Sequence, residues 1–241
     1  MAVICKDWEV DFGSAQIDPS VWNYELGYIR NHELQLYTSS KENARIEEGK
    51  LILCAKRDPN AEKGYTSACL DTKGKAEFLY GHIEMTAKLP KGTGIWPAFW
   101  MLGATFEVTE NWPVCGEIDI MEMVGGRGAN NNNNGDRECF STIHFQDADG
   151  KHSQAGSFTV KDFSLGDDFH TYGIDWDRKK IDFFLDGEKW QIVDISDKPA
   201  FHKPFFLLVN FAVGGDWPGD PDENTVFPQK YEIKSIRYRP L

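Results

Sequence analysis

Much of this chain consists of short runs in which β-branched and aromatic residues alternate with polar ones. They are KLILCAKR at 50–57, YGHIEMTAKL at 80–89, CFSTIHFQD at 139–147, HTYGIDWD at 170–177, KIDFFLDGEKWQIV at 180–193, FFLLVNFAV at 205–213 and YEIKSIRYR at 231–239. An alternation of period two is the signature of strands with one face buried. Turn signals separate the runs: RDPN, KGTG, LDGE and GGDWPGDP. No stretch of about 12 residues carries a 3.6-residue apolar period with caps at both ends, so helices should be few and short. The spacing predicts an antiparallel sandwich or barrel. Asp186-Gly187 should close a two-residue hairpin, because a type I′ turn needs positive φ at both positions.

With 241 residues and no linker or internal repeat, residues 1–241 are expected to form one domain around a single core. The formal net charge of -12 argues against a nucleic-acid partner, which needs clustered Lys and Arg. No run approaches the roughly 20 apolar residues of a membrane helix. The opening MAVICKDWEVDF lacks a basic stretch followed by an apolar run, so no signal peptide is expected in this chain. Cys5, Cys54, Cys69, Cys115 and Cys139 are odd in number and widely spaced, which reads as buried thiols without a disulfide framework. The tract GGRGANNNNNGDRE at 125–138 reads as a flexible exposed loop.

The segment CGEIDIMEM, Cys115 to Met123, places Glu117, Asp119 and Glu122 in one buried-looking strand. Strict alternation puts Glu117 and Asp119 on one face and Glu122 on the other. One extra residue within Ile120-Met121, a β-bulge, would return Glu122 to the face of its partners. Clustered carboxylates suit glycoside hydrolysis, in which a retaining mechanism needs two carboxyls about 5–5.5 Å apart and an inverting one about 6.5–9.5 Å. Asp119 between them would raise at least one pKa and keep that group protonated near neutral pH. Two other readings stay open: a solvated acidic face over a core of Ile118, Ile120 and Met121, or a Mg²⁺ or Ca²⁺ site completed from loops. Trp96, Phe99 and Trp100 in GIWPAFWMLG, Trp112 before the acids, and Trp217 in GGDWPGD favour a neutral polysaccharide ligand. A flat indole packs well on the C–H face of a sugar ring.

Over nearly its whole length the chain resembles glycoside hydrolase family 16, and within it the laminarinase-like endo-β-1,3-glucanases. The resemblance rests on VWNYELGYIRNHELQLYTSSKENARIEEGKLIL, YGHIEMTAKLPKGTGIWPAFWMLG, GEIDIMEMVG, STIHF, FHTYGIDWDRKKIDFFLDG and FFLLVNFAVGGDWPGDPDENTVFP. It implies an all-β jelly-roll of two antiparallel sheets with a substrate cleft on the concave face, and hydrolysis by double displacement. By the same resemblance Glu117 is the nucleophile, Glu122 the acid/base, Asp119 the acid assisting between them, and His144 a residue near the acid/base. Asn31, Trp96 and Trp100 would line the glycone side, and Asn210 and Trp217 the cleft edge, with Trp112 a further substrate contact. The spacing E-x-D-x-x-E matches laminarinases, agarases and carrageenases, whereas lichenases have E-x-D-x-E, so β-1,3-glucan is favoured over a strictly mixed-linkage substrate.

The chain departs from its relatives at two positions. Cys69 stands where they often carry a basic residue, and Lys234 where many place an Asp that binds a structural calcium. The expectation is that this calcium is absent or weakened, with the Lys234 ammonium in its place, and that no cofactor is required. The expected protein is a secreted monomer acting on β-1,3-glucan, with mixed-linkage β-1,3-1,4-glucan as a further substrate. A transglycosylase or a non-catalytic β-glucan-binding protein on the same fold are the alternatives; in binding relatives one or both catalytic Glu are usually lost, and both are present here.

Overall fold

The alternating runs of the sequence become the strands of two stacked sheets. The structure, a computed structural model, describes residues 3–241. One sheet runs Val3–Ile4, Glu77–Phe78, Phe205–Val213, Ile95–Gly103, Glu117–Glu122, Glu138–Gln146 and His152–Val160, with Cys69–Asp71 and Asn23–Glu25 added beside Phe205–Val213. The other is centred on Gly81–Lys88, flanked by His170–Trp176 and Gln229–Arg239. Among the described strands pairing is antiparallel except for two short parallel contacts, Val3–Ile4 with Glu77–Phe78 and Gln35–Tyr37 with Tyr65–Ser67, and an isolated parallel bridge joins Phe106 and Glu110. Among the described residues the helical segments are two single 3₁₀ turns, Gly135–Arg137 and Pro199–Phe201. Asp186 and Gly187 both have positive φ, 52° and 75°, and join Lys180–Leu185 to Glu188–Asp194 as the turn chemistry predicts.

The core lies between the sheets and contains Ile95, Phe99, Met101, Ile118, Ile120, Met121, Val209 and Phe211 from one side, and Ile83, Met85, Ile174, Trp176, Phe183 and Ile236 from the other. Burying a side chain of this size contributes about 1.5–3 kcal/mol, so the core has ample surplus to offset polar groups placed elsewhere. A second apolar cluster occupies the opposite face of the first sheet: Tyr37, Cys69, Ala98, Trp100, Leu102, Phe206 and Leu208. Phe205–Val213 is therefore buried on both faces, which explains its nearly unbroken apolar run.

Two elements differ from the sequence reading. GIWPAFWMLG, weighed above for its aromatic rings, is the strand Ile95–Gly103 at the middle of the cleft sheet despite Pro97. The Pro97 carbonyl accepts from Met123 N at 3.3 Å, and register with the acidic strand begins only at Ala98↔Glu122. Carbonyl and amide of one strand residue point the same way, so the missing N–H of Pro97 faces the acidic segment just past Glu122, the last strand residue in register with it. The Asn-rich tract is exposed at its tip, around 130–133, and at Arg127. Its base is tied down: Asp136 Oδ1 accepts from Gly92 N (2.9 Å) and Gly126 N (2.8 Å), and Asn132 Nδ2 donates to buried Glu138 (2.6 Å). All five cysteines are free thiols; Cys54, Cys69, Cys115 and Cys139 are buried as expected, whereas Cys5 is exposed.

The acidic strand carries the bulge that its sequence demands. Asp119 pairs with Thr142 and Glu122 with Phe140, so Ile120 and Met121 together oppose Ser141. Both side chains enter the core, and this double step turns Glu122 back to the cleft. The Ile120 carbonyl, displaced from the ladder, accepts from Ser141 Oγ at 2.7 Å in a buried setting. Replacing Ser141 with Ala should leave that carbonyl without its partner and cost about 1–3 kcal/mol of stability in denaturant unfolding. It should also lower activity through misplacement of Glu122; unchanged stability would show that the hydroxyl does not hold the bulge.

Candidate active site

Three rows of side chains cross the outer face of the cleft sheet, fixed by strand register. One row is Leu102, Glu117, His144 and Gln154; the next is Trp100, Asp119, Thr142 and Gly156; the third is Ala98, Glu122, Phe140 and Phe158. Each row holds one carboxylate, and the acids line a single cleft with two lobes. The first lobe, about 440 Å³, reaches Trp100, Asn210, Arg30 and Phe106, and the second, about 510 Å³, reaches Thr142, Gly156 and Phe158. Asn31, Trp96, Trp112 and the three acids line both.

Indole donors fix the outer two acids. Trp112 Nε1 donates to Glu117 Oε2 at 3.0 Å, and Trp96 Nε1 donates to Glu122 Oε1 at 3.0 Å. His144, expected near Glu122, stands opposite Glu117, with its Nε2 3.8 Å from Glu117 Oε1 and 3.2 Å from Asp119 Oδ2. Its other nitrogen lies 2.9 Å from His152 Nε2. Asn210 and Trp217 occupy the two lobes separately. Asn210 sits below Trp100, whose Nε1 donates to it at 2.7 Å, while Trp217 packs edge-on against Trp96 with centroids 5.4 Å apart.

Burial is the main cause of strong pKa perturbation here. It pushes the Glu117 carboxyl up to about 8, with the Asp119 charge adding to the rise. His144, Arg30 and the Trp112 N–H pull it back. Burial also raises Glu122 well above its ordinary value, and both Asp119 and Glu117 repel its charge, while the Trp96 N–H and His144 pull it back. Asp119 is also raised by burial, against a lowering contact with Glu117. The two outer acids thus sit among different neighbours: Arg30 favours the ionised form of Glu117, whereas both other acids repel the charge of Glu122.

Beneath the cleft lies a polar network that the sequence reading missed. Asn210 Nδ2 donates to the Tyr37 hydroxyl (3.0 Å), which donates to Glu33 (3.3 Å), and Glu33 also accepts from Gln35 (2.5 Å) and Asn31 (3.2 Å). It fixes the indole of Trp100 from below. Its signal was the alternation Asn31, Glu33, Gln35, Tyr37, a polar row of period two within RNHELQLY. Arg30 was missed as well: it stacks over Trp100 at 5.1 Å and pairs with Glu25, to which Cys69 Sγ also donates. A cation thus stands beside Cys69, supplied by the loop.

On the far side of the molecule, Lys234 is the unpaired residue of a bulge between Gly81–Lys88 and Gln229–Arg239, and its Nζ lies 3.7 Å from the centre of the Phe169 ring. The ammonium makes a cation–π contact there. Its surroundings include Lys50 and Arg237, while Glu9 is paired with Arg237 and Glu48 lies 3.7 Å from Lys50. This donor set does not fit a hard dication, which needs several uncommitted oxygens.

Comparison with known proteins agrees with this architecture. The model of glycosyl hydrolases family 16 matches residues 30–234. The chain belongs to glycosyl hydrolase family 16. It is 37% identical to a glucan endo-1,3-beta-glucosidase of Cryptopygus antarcticus, over 96% of this chain and 90% of the relative. It is 35% identical to a beta-glucanase of Rhodothermus marinus, over 95% of this chain and 83% of that one. The laminarinase catalytic domain of Thermotoga maritima superimposes with a TM-score of 0.83 at 38% identity, covering 97% of each chain. The two-sheet fold is that of these family 16 laminarinases.

A carboxyl whose folded pKa lies above its unfolded value stabilises the fold fully below the unfolded value and loses that contribution as pH rises through the folded one. For Glu117 the window runs from its ordinary 4.5 to about 8. Glu117→Gln should therefore raise the melting temperature at pH 8, by about 2–4 °C for each kcal/mol gained, with little effect at pH 4. An equal shift at both pH values would contradict the account.

Proposed function

We propose that this chain is a retaining endo-glycosidase that hydrolyses β-1,3-glucan of the laminarin type and also accepts mixed-linkage β-1,3-1,4-glucan. The observation that carries the reading is the convergence of Glu117, Asp119 and Glu122 on one cleft face, with Trp112 donating to Glu117 and Trp96 to Glu122. Names borne by the relatives, an endo-1,3-beta-glucosidase and a laminarinase among them, support the choice of glucan.

In the first step ionised Glu117 attacks the anomeric carbon while protonated Glu122 donates its proton to the departing glycosidic oxygen, forming a glycosyl ester on Glu117. Glu122, now ionised, takes a proton from water; the water oxygen attacks the same carbon and the ester bond to Glu117 breaks. Asp119, 3.2 Å from His144, holds the middle of the trio and keeps Glu122 protonated by its charge. The glycone occupies the lobe of Asn31, Trp96, Trp100 and Asn210, and the leaving chain the lobe of Thr142, His144 and Phe158. Every group used belongs to the protein, so the reaction requires no cofactor. The size of the polymer places it outside the cell.

Product analysis on laminarin, mixed-linkage glucan, agarose and xyloglucan tests the reading. Internal cleavage of the first two, surviving exhaustive chelation and lost by at least about 1,000-fold in Glu117→Gln with oligosaccharide binding retained, is the expected result. A Glu117→Gln variant as fast as the parent, or cleavage confined to agarose or xyloglucan, would overturn it.

A further inference from the structure

The strand beside the acids brings a donor of a different kind to two of them. Glu117 and Asp119 share a face of Glu117–Glu122, and His144 stands across from Glu117 on Glu138–Gln146. All three project from paired strands, and donor atoms carried on rigid elements are held more closely in place than donors on loops. One ligand atom of each residue lies within 4.8 Å of the other two. His144 Nε2 is the hub of the group, 3.2 Å from Asp119 Oδ2 and 3.8 Å from Glu117 Oε1.

The contacts inside this group are incomplete, while those around it are firm. Asp119 is 4% exposed, and its Oδ2 has no hydrogen-bond partner among the described residues; His144 Nε2, though near, is out of line for one. A buried carboxylate oxygen left without a donor is costly. On the outer side, Trp112 Nε1 donates to Glu117 Oε2, which leaves Oε1 turned towards His144. His144 Nδ1 lies 2.9 Å from His152 Nε2, and the two rings stack at 21°. With the Nδ1 proton in that bond, Nε2 presents its lone pair to the side of the acids. Metal-ligating histidines have this arrangement, their second nitrogen donating to an outer partner.

The spacing suits a small dication. Around Zn²⁺, bonds of about 2.0–2.2 Å in a tetrahedron set the ligand atoms about 3.3–3.6 Å apart. The two distances from His144 bracket that span, so small side-chain rotations close the set, and three protein ligands leave a fourth position for water. The imidazole decides which cation fits. Mg²⁺ and Ca²⁺ take oxygen ligands, whereas imidazole suits Zn²⁺ and its first-row neighbours. The net charge of -12 also draws cations to the protein.

We propose that Glu117, Asp119 and His144 form a Zn²⁺ site through which the dication reversibly switches the enzyme off. The proposal rests on the reading of Glu117 as nucleophile: a carboxylate whose free oxygen ligates Zn²⁺ cannot attack the anomeric carbon. Zn²⁺ and glucan therefore exclude each other. The metal is an inhibitor at this site, so its removal restores activity instead of abolishing it.

Calorimetric titration of the full chain with Zn²⁺, and laminarin hydrolysis with and without it, test the proposal. One Zn²⁺ should bind per chain; laminari-oligosaccharide should displace it and Ca²⁺ should not. Affinity should fall at least about 100-fold in His144→Ala and in Glu117→Gln, and about tenfold in His152→Ala, which removes only the outer partner. On laminarin, Zn²⁺ should raise the apparent KM without changing kcat, and a chelator should restore the original rate. No binding at millimolar Zn²⁺, full affinity retained in both His144→Ala and Glu117→Gln, or binding lost in Cys5→Ser, which would put the metal on the exposed thiol, would overturn the site. Binding at these residues without inhibition would overturn the switch. Zn²⁺ binding at these residues by a parent that cleaves no glucan would instead overturn the hydrolase reading and leave the metal site standing.

Discussion

The site depends on one irregularity, the bulge at Ile120-Met121. A regular strand cannot present residues 117, 119 and 122 on one face, because its side chains alternate. By letting two residues oppose Ser141, the strand sends Ile120 and Met121 into the core and turns Glu122 outward. The cost is a carbonyl removed from the ladder, and Ser141 supplies its hydrogen bond. Core packing and catalytic geometry are thus coupled. The apolar side chains that make the strand stable also set the phase of its acids.

The surroundings of the acids then divide their labour. All three are pushed toward protonation by burial, but each outer acid receives a different set of neighbours. Glu117 is repelled by Asp119 and eased by His144, Arg30 and Trp112, whereas Glu122 is repelled by both other acids and eased by Trp96 and His144. Identical side chains can therefore serve as nucleophile and proton donor at the same pH. The buried network of Glu33, Tyr37 and Asn210 under Trp100 adds rigidity to the glycone lobe. Such preorganisation places charge complementarity ahead of the reaction, where it is most useful.

Much of this was legible in the sequence. KLILCAKR and FFLLVNFAV coincide with the strands Lys50–Arg57 and Phe205–Val213, because apolar runs bounded by turn signals leave little choice of structure. The misfit of Glu122 in a period of two implies the bulge from the sequence alone. Ile95–Gly103 was harder, since Pro97 argues against a central strand and only tertiary register shows where its missing donor falls. Strands of two residues, such as Val3–Ile4 and Glu77–Phe78, carry no local pattern. The placement of His144 against Glu117 is a matter of cross-strand register, which motif spacing does not encode. The Asn-rich tract was legible in composition but not in its anchoring, which depends on Asp136 reaching a distant turn at Gly92.

The central claim is that the bulge brings two glutamates to one reacting carbon in different roles. Mass spectrometry of the protein trapped with an activated 2-deoxy-2-fluoro laminari-oligosaccharide tests it most directly. The account predicts a single glycosyl adduct, mapped by peptide fragmentation to Glu117, with Glu122 unmodified. An adduct on Glu122, or turnover of the natural substrate with no covalent adduct formed under any trapping condition, would contradict it.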